Sequence, residues 1–171
     1  MEPCLECKMR RTHWTISLVC EGTAEYQLAT TIREYYLPRN CGTILQPRNA
    51  HGCGGKKALW LARTMKDETG HDTYAIMIDT DAHWSDEDRA EAKALGIAVI
   101  ENNPCLEATL LRIDGKRPSE RTKDNKDAFE SEYGGPAHRA NLIRRNFPKQ
   151  KFDAARPGVP ALDALLRLIR C

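Results

Sequence analysis

The chain has 171 residues and a formal net charge of +2, with 41% hydrophobic and 29% charged residues. This composition is that of a soluble globular protein and excludes collagen-like, mucin-like or wholly disordered chains. The longest apolar stretches, such as 16–20 and 97–100, are far too short to span a bilayer, so we expect no membrane helix and no membrane partner. Residues 1–11 mix acids and bases before any apolar block, which does not fit a secretory signal, so we expect a cytoplasmic protein.

The seven cysteines are irregularly spaced, unlike the even disulfide framework of a small secreted domain, so we expect reduced thiols. Cys4 and Cys7 form a CxxC pair that could be half of a zinc site with His13 or Cys20 nearby. No second pair follows at a comparable spacing. We interpret the motif as incidental thiols and leave zinc binding by Cys4 and Cys7 open.

Charge is unevenly distributed along the chain. Residues 1–115 carry 13 Lys/Arg against 17 Asp/Glu, a net of −4, whereas residues 116–171 carry 13 against 7, a net of +6. An acidic front part beside a basic tail suggests a site for cations next to a surface for a polyanion. The alternative is that the tail charges are simply solvated.

Strand and helix patterns alternate over residues 1–115. Short β-rich segments predict strands at 13–20, 41–46, 73–78 and 97–100. Capping and periodicity predict helices from Thr23 to Pro38, over 58–68 and from Ser85 to Leu95. A fourth helix is predicted to open in segment 101–107, with Pro104 near its first turn, and to continue to Ile113. Four strand–helix units in succession predict an α/β domain, with a mainly parallel four-stranded sheet and helices on both faces.

The charge and periodicity of residues 116–171 predict a basic, mostly helical extension that packs on this core. Its helices are expected at 127–133, 137–146 and 161–169. Its basic residues include a cluster formed by Arg139, Arg144, Arg145, Lys149 and Lys151. These side chains could neutralise nucleic-acid phosphates, and an exposed Phe147 or Phe152 could stack on an unpaired base. Burial of both phenylalanines is the more common arrangement.

Acidic residues follow two of the predicted strands, at the sheet edge where ligands bind in open α/β folds. Glu21 closes the first strand, and Asp79 and Asp81 close the third. Alternate residues of an extended chain point to one side, so the side chains of Asp79, Asp81 and His83 can be directed into the same space. Glu21 would lie in that space too if the strand order is 2-1-3-4. Unpaired carboxylates at close range need a cation, and oxygen ligands favour Mg²⁺ or Mn²⁺. Alternatively, these acids only cap turns and strand ends.

Three further features could serve such a site. The glycine-rich loop 51–57 precedes a helix, so its amides and Lys56 or Lys57 could receive a phosphate, although it lacks the Walker ending and a flexible connection is the alternative. Glu107 could complete a metal shell or orient water, or could simply be an acid favoured at a helix N-terminus. His83 could bind metal or transfer a proton, or could be a surface histidine beside Trp84.

The order of these motifs resembles a known family. A strand followed by Glu21-Gly22, a helix and a later strand ending in Asp79-Thr-Asp81 is similar to the Toprim domain of topoisomerases, primases and related nucleases. More narrowly, segments 19–25, 52–55, 79–83 and 103–107 resemble the RloB-like branch found near restriction-modification and phage-defence genes. The resemblance covers about residues 14–115. The segment after Asn103-Pro-Cys-Leu-Glu107 departs from the aromatic sequence expected there.

This resemblance implies a Mg²⁺-dependent nuclease of RNA, including tRNA, or of DNA, in phage defence or a mobile-element context. Asp79 and Asp81 would hold metal, and Glu21 would act as general acid/base or as a further metal contact. Expected partners are nucleic acid and a defence-system protein, with a homodimer left open.

Two other functions stay open. One is a non-catalytic module that binds nucleic acid or protein around a structural metal. The other is phosphatase chemistry with Asp79 as nucleophile, which is disfavoured because that Asp-x-Asp pattern ordinarily ends the first strand. Topoisomerase activity is excluded on size, because strand passage needs a separate domain with a nucleophilic tyrosine.

Overall fold

The structure is a computed structural model, and it describes residues 13–52, 54–81 and 83–169. The Cys4-x-x-Cys7 motif, Cys53 of the glycine-rich loop and Ala82 lie outside these residues. None of the described helices is long and apolar enough to cross a membrane. Cys20 and Cys105 are buried and free, as expected, but Cys41 is disulfide-bonded, so the expectation of reduced thiols is wrong at that position.

The described chain contains four strands joined by helices, and this confirms the predicted α/β class. The strands are β1 (Trp14–Cys20), β2 (Thr43–Asn49), β3 (Thr73–Asp79) and β4 (Ala98–Asn102). The helices of the core are α1 (Thr23–Tyr36), α2 (Gly55–Glu68), α3 (Asp86–Ala94) and α4 (Leu106–Ile113). The helices of the extension are α5 (Thr122–Tyr133), α6 (Leu142–Asn146), α7 (Lys149–Ala155) and α8 (Pro160–Leu168).

All strand pairs are parallel, and the strand order is β2-β1-β3-β4. This is the order that the sequence analysis required for Glu21 to meet Asp79. The chain moves outward from β1 to β2, then crosses back through α2 to place β3 on the other side of β1. The winding therefore reverses between β1 and β3, and ligands of open α/β sheets bind at such a reversal.

Alternate residues of the strands feed two separate cores. On β3, Ala75 and Met77 pack into the core beneath α1, α4 and the extension, whereas Ile76 and Ile78 pack beneath α2 and α3. Asp79 continues the alternation of Ala75 and Met77. Its side chain is therefore directed to the side of the sheet that α1, α4 and the extension cover.

The extension contributes directly to the first of these cores. Phe129, Phe147 and Phe152 have no exposed surface and share the core with Leu28 and Ile32 of α1. Burial of both Phe147 and Phe152 rules out the stacking role considered for them. Helix α7 was not predicted, because only eight residues lie between Pro148 and Pro157, and closely spaced prolines are typical of a loop.

Candidate functional site

The ends of β1 and β3 are joined directly by a side chain. The Glu21 carboxylate accepts a hydrogen bond from the backbone N–H of Asp79 at 2.9 Å, and the Glu21 N–H donates to the carbonyl of Met77 at 2.9 Å. The carbonyl of Glu21 accepts from the N–H of Gly52 at 2.8 Å. These bonds hold Glu21 between the third strand and the glycine-rich loop, so the two acidic motifs share one edge of the sheet.

Asp79 is the most unusual of these acids. Its Oδ1 atom is buried and makes no hydrogen bond with any described residue. Asn102, its partner in register on β4, is 1% exposed, and its side-chain amide is equally unpartnered in the described structure. Buried polar atoms are almost always hydrogen-bonded, so the unpartnered carboxylate oxygen is a candidate contact for a water molecule or an ion.

The start of α1 adds a second glutamate. Gly22 is the N-cap of the helix, and its N–H donates to Glu25 Oε2 at 3.0 Å. This bond folds the Glu25 side chain back over the turn, where it is only 5% exposed. A Cβ on Gly22 would lie 3.1 Å from the same oxygen, so the glycine leaves room for the folded carboxylate. The sequence analysis did not include Glu25 among the candidate site residues.

A pocket of about 250 Å³ collects these acids together with residues from α4 and the extension. Its ionisable lining residues are Glu21, Glu25, Asp79, Glu107, Lys126 and His138. Glu107 comes from the first turn of α4 and is 8% exposed. Lys126 belongs to α5, and His138 follows that helix. The extension therefore closes one side of the pocket with two nitrogen-bearing side chains.

Burial and mutual repulsion raise the pKa values of three acids in this pocket. Burial raises the pKa of Asp79 to about 9, with the charges of Glu25, Glu21 and Glu107 adding to it. Burial is also the main cause that raises the pKa of Glu25 to about 7. The pKa of Glu21 is raised by burial, although its bond from the Asp79 N–H opposes the shift. Clusters of acids shifted in this way are typical of functional sites.

The same carboxylates change the pKa of Lys126. Partial burial lowers its pKa, but the nearby carboxylates Glu107 and Asp79 outweigh burial, and the net pKa is raised. The ammonium group is therefore held in its charged form beside the acids.

The pocket fits a divalent cation in the chemistry of its donors. Its carboxylates supply only oxygen, which Mg²⁺ and Mn²⁺ prefer, and Asp79 Oδ1 lacks a partner among the described residues. Among residues 13–52, 54–81 and 83–169, no three acid, histidine or cysteine side chains are already arranged to hold an ion. Repulsion between carboxylates favours such an open arrangement wherever no cation lies between them.

Asp81 and His83 do not follow Asp79 into the pocket. Strand β3 ends at Asp79, and the N–H groups of Thr80 and Asp81 both donate to the carbonyl of Pro104 at 3.1 Å. These bonds turn the chain toward the loop before α4, so the alternation of an extended strand stops. Asp81 and His83 are exposed and are not among the pocket-lining residues. Asp81 nevertheless lies close enough for its charge to raise the pKa values of Asp79 and Glu21, and a role for Asp81 and His83 at the site stays a prediction.

Gly52 is the one described residue of the glycine-rich loop that lines the pocket. Gly52 and Gly54 have φ values of 72° and 81°, which favour glycine. Lys56 and Lys57 lie in the first turn of α2 and are exposed. Lys56 forms an ion pair with Asp88 at 3.8 Å. The phosphate-binding role of both lysines stays a prediction.

Most of the predicted basic cluster of the extension is bound to neighbouring groups. Arg144 pairs with Glu34 at 3.2 Å, Lys149 with Asp153 at 2.8 Å, and Lys151 with Asp114. Arg139 donates to the carbonyl of Gly134 at 3.1 Å, and Arg145 is exposed. Nucleic-acid binding by these five residues stays a prediction, but four of them already have partners.

Sequence reasoning missed Glu25, Lys126 and His138. Glu25 carried a usable signal, because an acid three residues after a helix cap can fold back toward the residues before the helix. The sequence around Lys126 and His138 contains no such signal, because only the packing of the extension on α1 and α4 brings these two residues to the sheet edge.

Comparisons of the chain with protein-family models, with curated proteins and with solved structures find no match. The similarity to the Toprim domain and its RloB-like branch therefore stays a resemblance of motifs. The evidence for a function lies in the pocket residues themselves.

Proposed function

We propose that this chain is a cytoplasmic, metal-dependent nuclease of Toprim type that hydrolyses phosphodiester bonds in RNA or DNA. The observation that carries the proposal is the convergence of four carboxylates from β1, α1, β3 and α4 on one pocket, where Asp79 Oδ1 has no partner among the described residues. A phage-defence or mobile-element setting, with tRNA among the substrates and a defence-system protein as partner, follows from the resemblance alone.

Asp79 and Glu107 would hold Mg²⁺ or Mn²⁺, with Glu25 behind them, and Glu21 would remain free of the ion as the proton acceptor. Asp81 would lie at the rim, since it is exposed yet close enough for its charge to raise the pKa of Asp79. When bound, the ion supplies stabilisation of charge on a phosphate oxygen and lowers the pKa of a water molecule.

The side chains of the pocket supply the other requirements of hydrolysis. Lys126 would bind a non-bridging phosphate oxygen, because its ammonium group is kept charged beside the acids. Glu21 would receive the proton of the attacking water, since burial raises its pKa and makes it a stronger base than an exposed carboxylate. His138 lines the same pocket and would donate a proton to the leaving oxygen.

The first test is cleavage of mixed tRNA, single-stranded RNA and DNA by the purified chain with Mg²⁺ or Mn²⁺. We expect Glu21→Gln and Asp79→Asn to lower the rate at least about a hundredfold, because metal-mediated charge stabilisation supplies several kcal/mol. The matched control is Glu87→Gln, which removes an exposed acid of α3 outside the pocket. Cleavage that survives in both pocket variants would refute the site.

A non-catalytic binding module is the second candidate. It is favoured by Lys126, which already places one positive charge beside the acids, and by the lack of a ready three-ligand group in the described chain. A salt-sensitive gel shift of RNA or DNA without cleavage, unchanged by Asp79→Asn, would support this module over the nuclease.

A further inference from the structure

Helix α2 carries an exposed tryptophan that the pocket does not use. Trp60 is 61% exposed, and Ile44 at 39% is the other large hydrophobic residue exposed in the described chain. Indole rings contribute a large apolar surface when buried, so an exposed Trp on an ordered helix is a candidate contact for a partner.

The residues around Trp60 are positively charged. Lys56 and Lys57 lie one turn before it and Arg63 one turn after it, which places all three beside the indole on the helix surface. The side chains of Lys56 and Arg63 are 67% and 57% exposed. Their ion pairs with Asp88 and Glu91 are 3.8 Å long, and such exposed pairs contribute little. Both cations can therefore turn toward a ligand.

The position of α2 connects this surface with the acidic pocket. The helix begins at Gly55, directly after the loop whose Gly52 lines the pocket. Trp60 follows Gly55 by five residues, which is about 7.5 Å along the helix axis. A strand lying along this part of α2 would reach the pocket past Gly52.

We propose that the α2 surface formed by Lys56, Lys57, Trp60 and Arg63 binds a single-stranded segment of nucleic acid. One unpaired base would stack on the indole, and the three cations would contact the flanking phosphates. A duplex does not fit, because its base faces are already stacked and a side chain on a convex helix cannot reach them. A protein partner fits less well, since lysine is depleted at protein interfaces. The inference rests on the proposed function only in taking this strand to lead into the pocket.

The test measures binding without cleavage. The full chain in EDTA is titrated into fluorescently labelled oligo-U and oligo-dT, and into a duplex of equal length, at two salt concentrations. We expect Trp60→Ala to weaken single-strand binding about 5- to 150-fold, since stacking contributes about 1–3 kcal/mol per base. Trp60→Phe should retain most of the affinity. Lys56→Gln should weaken binding and lower the salt slope by about one unit, because one phosphate contact is lost.

Two matched controls separate this surface from general effects. Ile44→Ala removes the other exposed apolar side chain, and Lys93→Gln removes an exposed lysine of α3, and both should bind as the wild type does. Thermal unfolding of Trp60→Ala should match the wild type, because the indole is exposed.

The proposal is overturned if the wild type binds no oligonucleotide, if Trp60→Ala binds as tightly as the wild type, or if the duplex competes as well as single strands. It is equally overturned if Trp60→Ala abolishes self-association of the chain and leaves oligonucleotide binding intact, which would make this face a protein interface. Loss of cleavage in Glu21→Gln with normal binding in EDTA leaves the inference standing, so its failure and that of the nuclease proposal are distinguishable.

Discussion

The acidic pocket and the basic extension differ in whether their charged side chains have partners within the chain. In the pocket, four carboxylates face one another, and Asp79 Oδ1 has no hydrogen-bond partner among the described residues. In the extension, Arg144, Lys149 and Lys151 each lie against an acid of the same chain. Such largely exposed pairs contribute little to stability, but they satisfy their charges within the chain, whereas uncompensated charges in a pocket raise its free energy until a ligand binds. The contrast therefore separates charges that already have internal partners from those available for a ligand.

The aromatic residues of the extension show the same division. Phe147 lies 5.1 Å from the ring of Tyr133 and 6.3 Å from those of Phe129 and Phe152. Lys151 lies over the Phe147 ring at 5.4 Å. Phe147 and Phe152, which were considered for stacking on a base, instead belong to a buried aromatic cluster. This cluster packs the extension against α1 and α4.

The largest expected effect tests this structural role. Phe147→Ala should lower the free energy of unfolding by about 3–5 kcal/mol, because it leaves a cavity among Phe129, Tyr133 and Phe152. Urea denaturation of the full chain measures the change. Phe147→Leu, which retains most of the volume, should cost clearly less. A loss below about 1 kcal/mol for Phe147→Ala would show that the extension is not part of the core.

The sheet could be predicted from sequence because its signals are local. The apolar run of β3 and the cap at Ser85 with Asp88 three residues later each predicted an element that the structure contains. Glu21 and Asp79 could be placed on one edge because both end parallel strands. The 2-1-3-4 order was the condition for that meeting, and the structure has it.

The remainder of the pocket could not be predicted, for reasons specific to each residue. The exposure of Asp81 could not be predicted because periodicity cannot show where a strand stops, and here the N–H groups of Thr80 and Asp81 bind the carbonyl of Pro104. Glu25 was missed because an acid on the first turn of a helix ordinarily faces solvent, whereas the N–H of Gly22 folds this one inward. Lys126 depends on how α5 packs against α4, a contact between distant segments that no local pattern encodes.

The next largest effect is the pH dependence of stability that the buried acids Asp79 and Glu25 cause. In the metal-free protein, the pKa values of Asp79, about 9, and Glu25, about 7, lie above those of unfolded carboxyl groups. The folded chain then binds more protons than the unfolded chain between pH 6 and pH 8, so its stability should fall as the pH rises through this range. The acids with lowered pKa values, Asp72, Asp88, Asp114 and Asp153, change their contribution to stability only below about pH 5.

Mg²⁺ should reverse this trend. A cation needs deprotonated carboxylates, so Mg²⁺ should stabilise the protein more at pH 8 than at pH 6. At a concentration a hundred times its Kd, the gain is about 2.7 kcal/mol, or roughly 5–10 °C in Tm. Asp79→Asn should flatten the pH dependence and remove most of the Mg²⁺ shift. Stability that rises from pH 6 to pH 8 without Mg²⁺, or an equal shift at both pH values, would contradict the assignment.

The smallest of these effects concerns the residue that belongs to both regions. Lys126 is the only Lys or Arg among the described pocket-lining residues, and it comes from the extension. If it binds a phosphate oxygen, Lys126→Met should lower kcat about ten- to a hundredfold, the range of one lost charge-assisted hydrogen bond. The same variant should bind Mg²⁺ more tightly, because a competing positive charge is gone. Lys126→Arg should retain part of the activity, since it keeps the charge.

Lys123→Met is the matched control, because it removes an exposed lysine from the same helix outside the pocket. A Lys126 that served only to compensate the acids would give the opposite pattern: its removal would lower the free energy of unfolding and leave kcat unchanged. That result would place Lys126 with the internally paired bases of the extension, and the binding module would then be the better account of the pocket. A fall in kcat with unchanged unfolding at pH 6 would instead show that one basic residue of the extension is kept for the substrate.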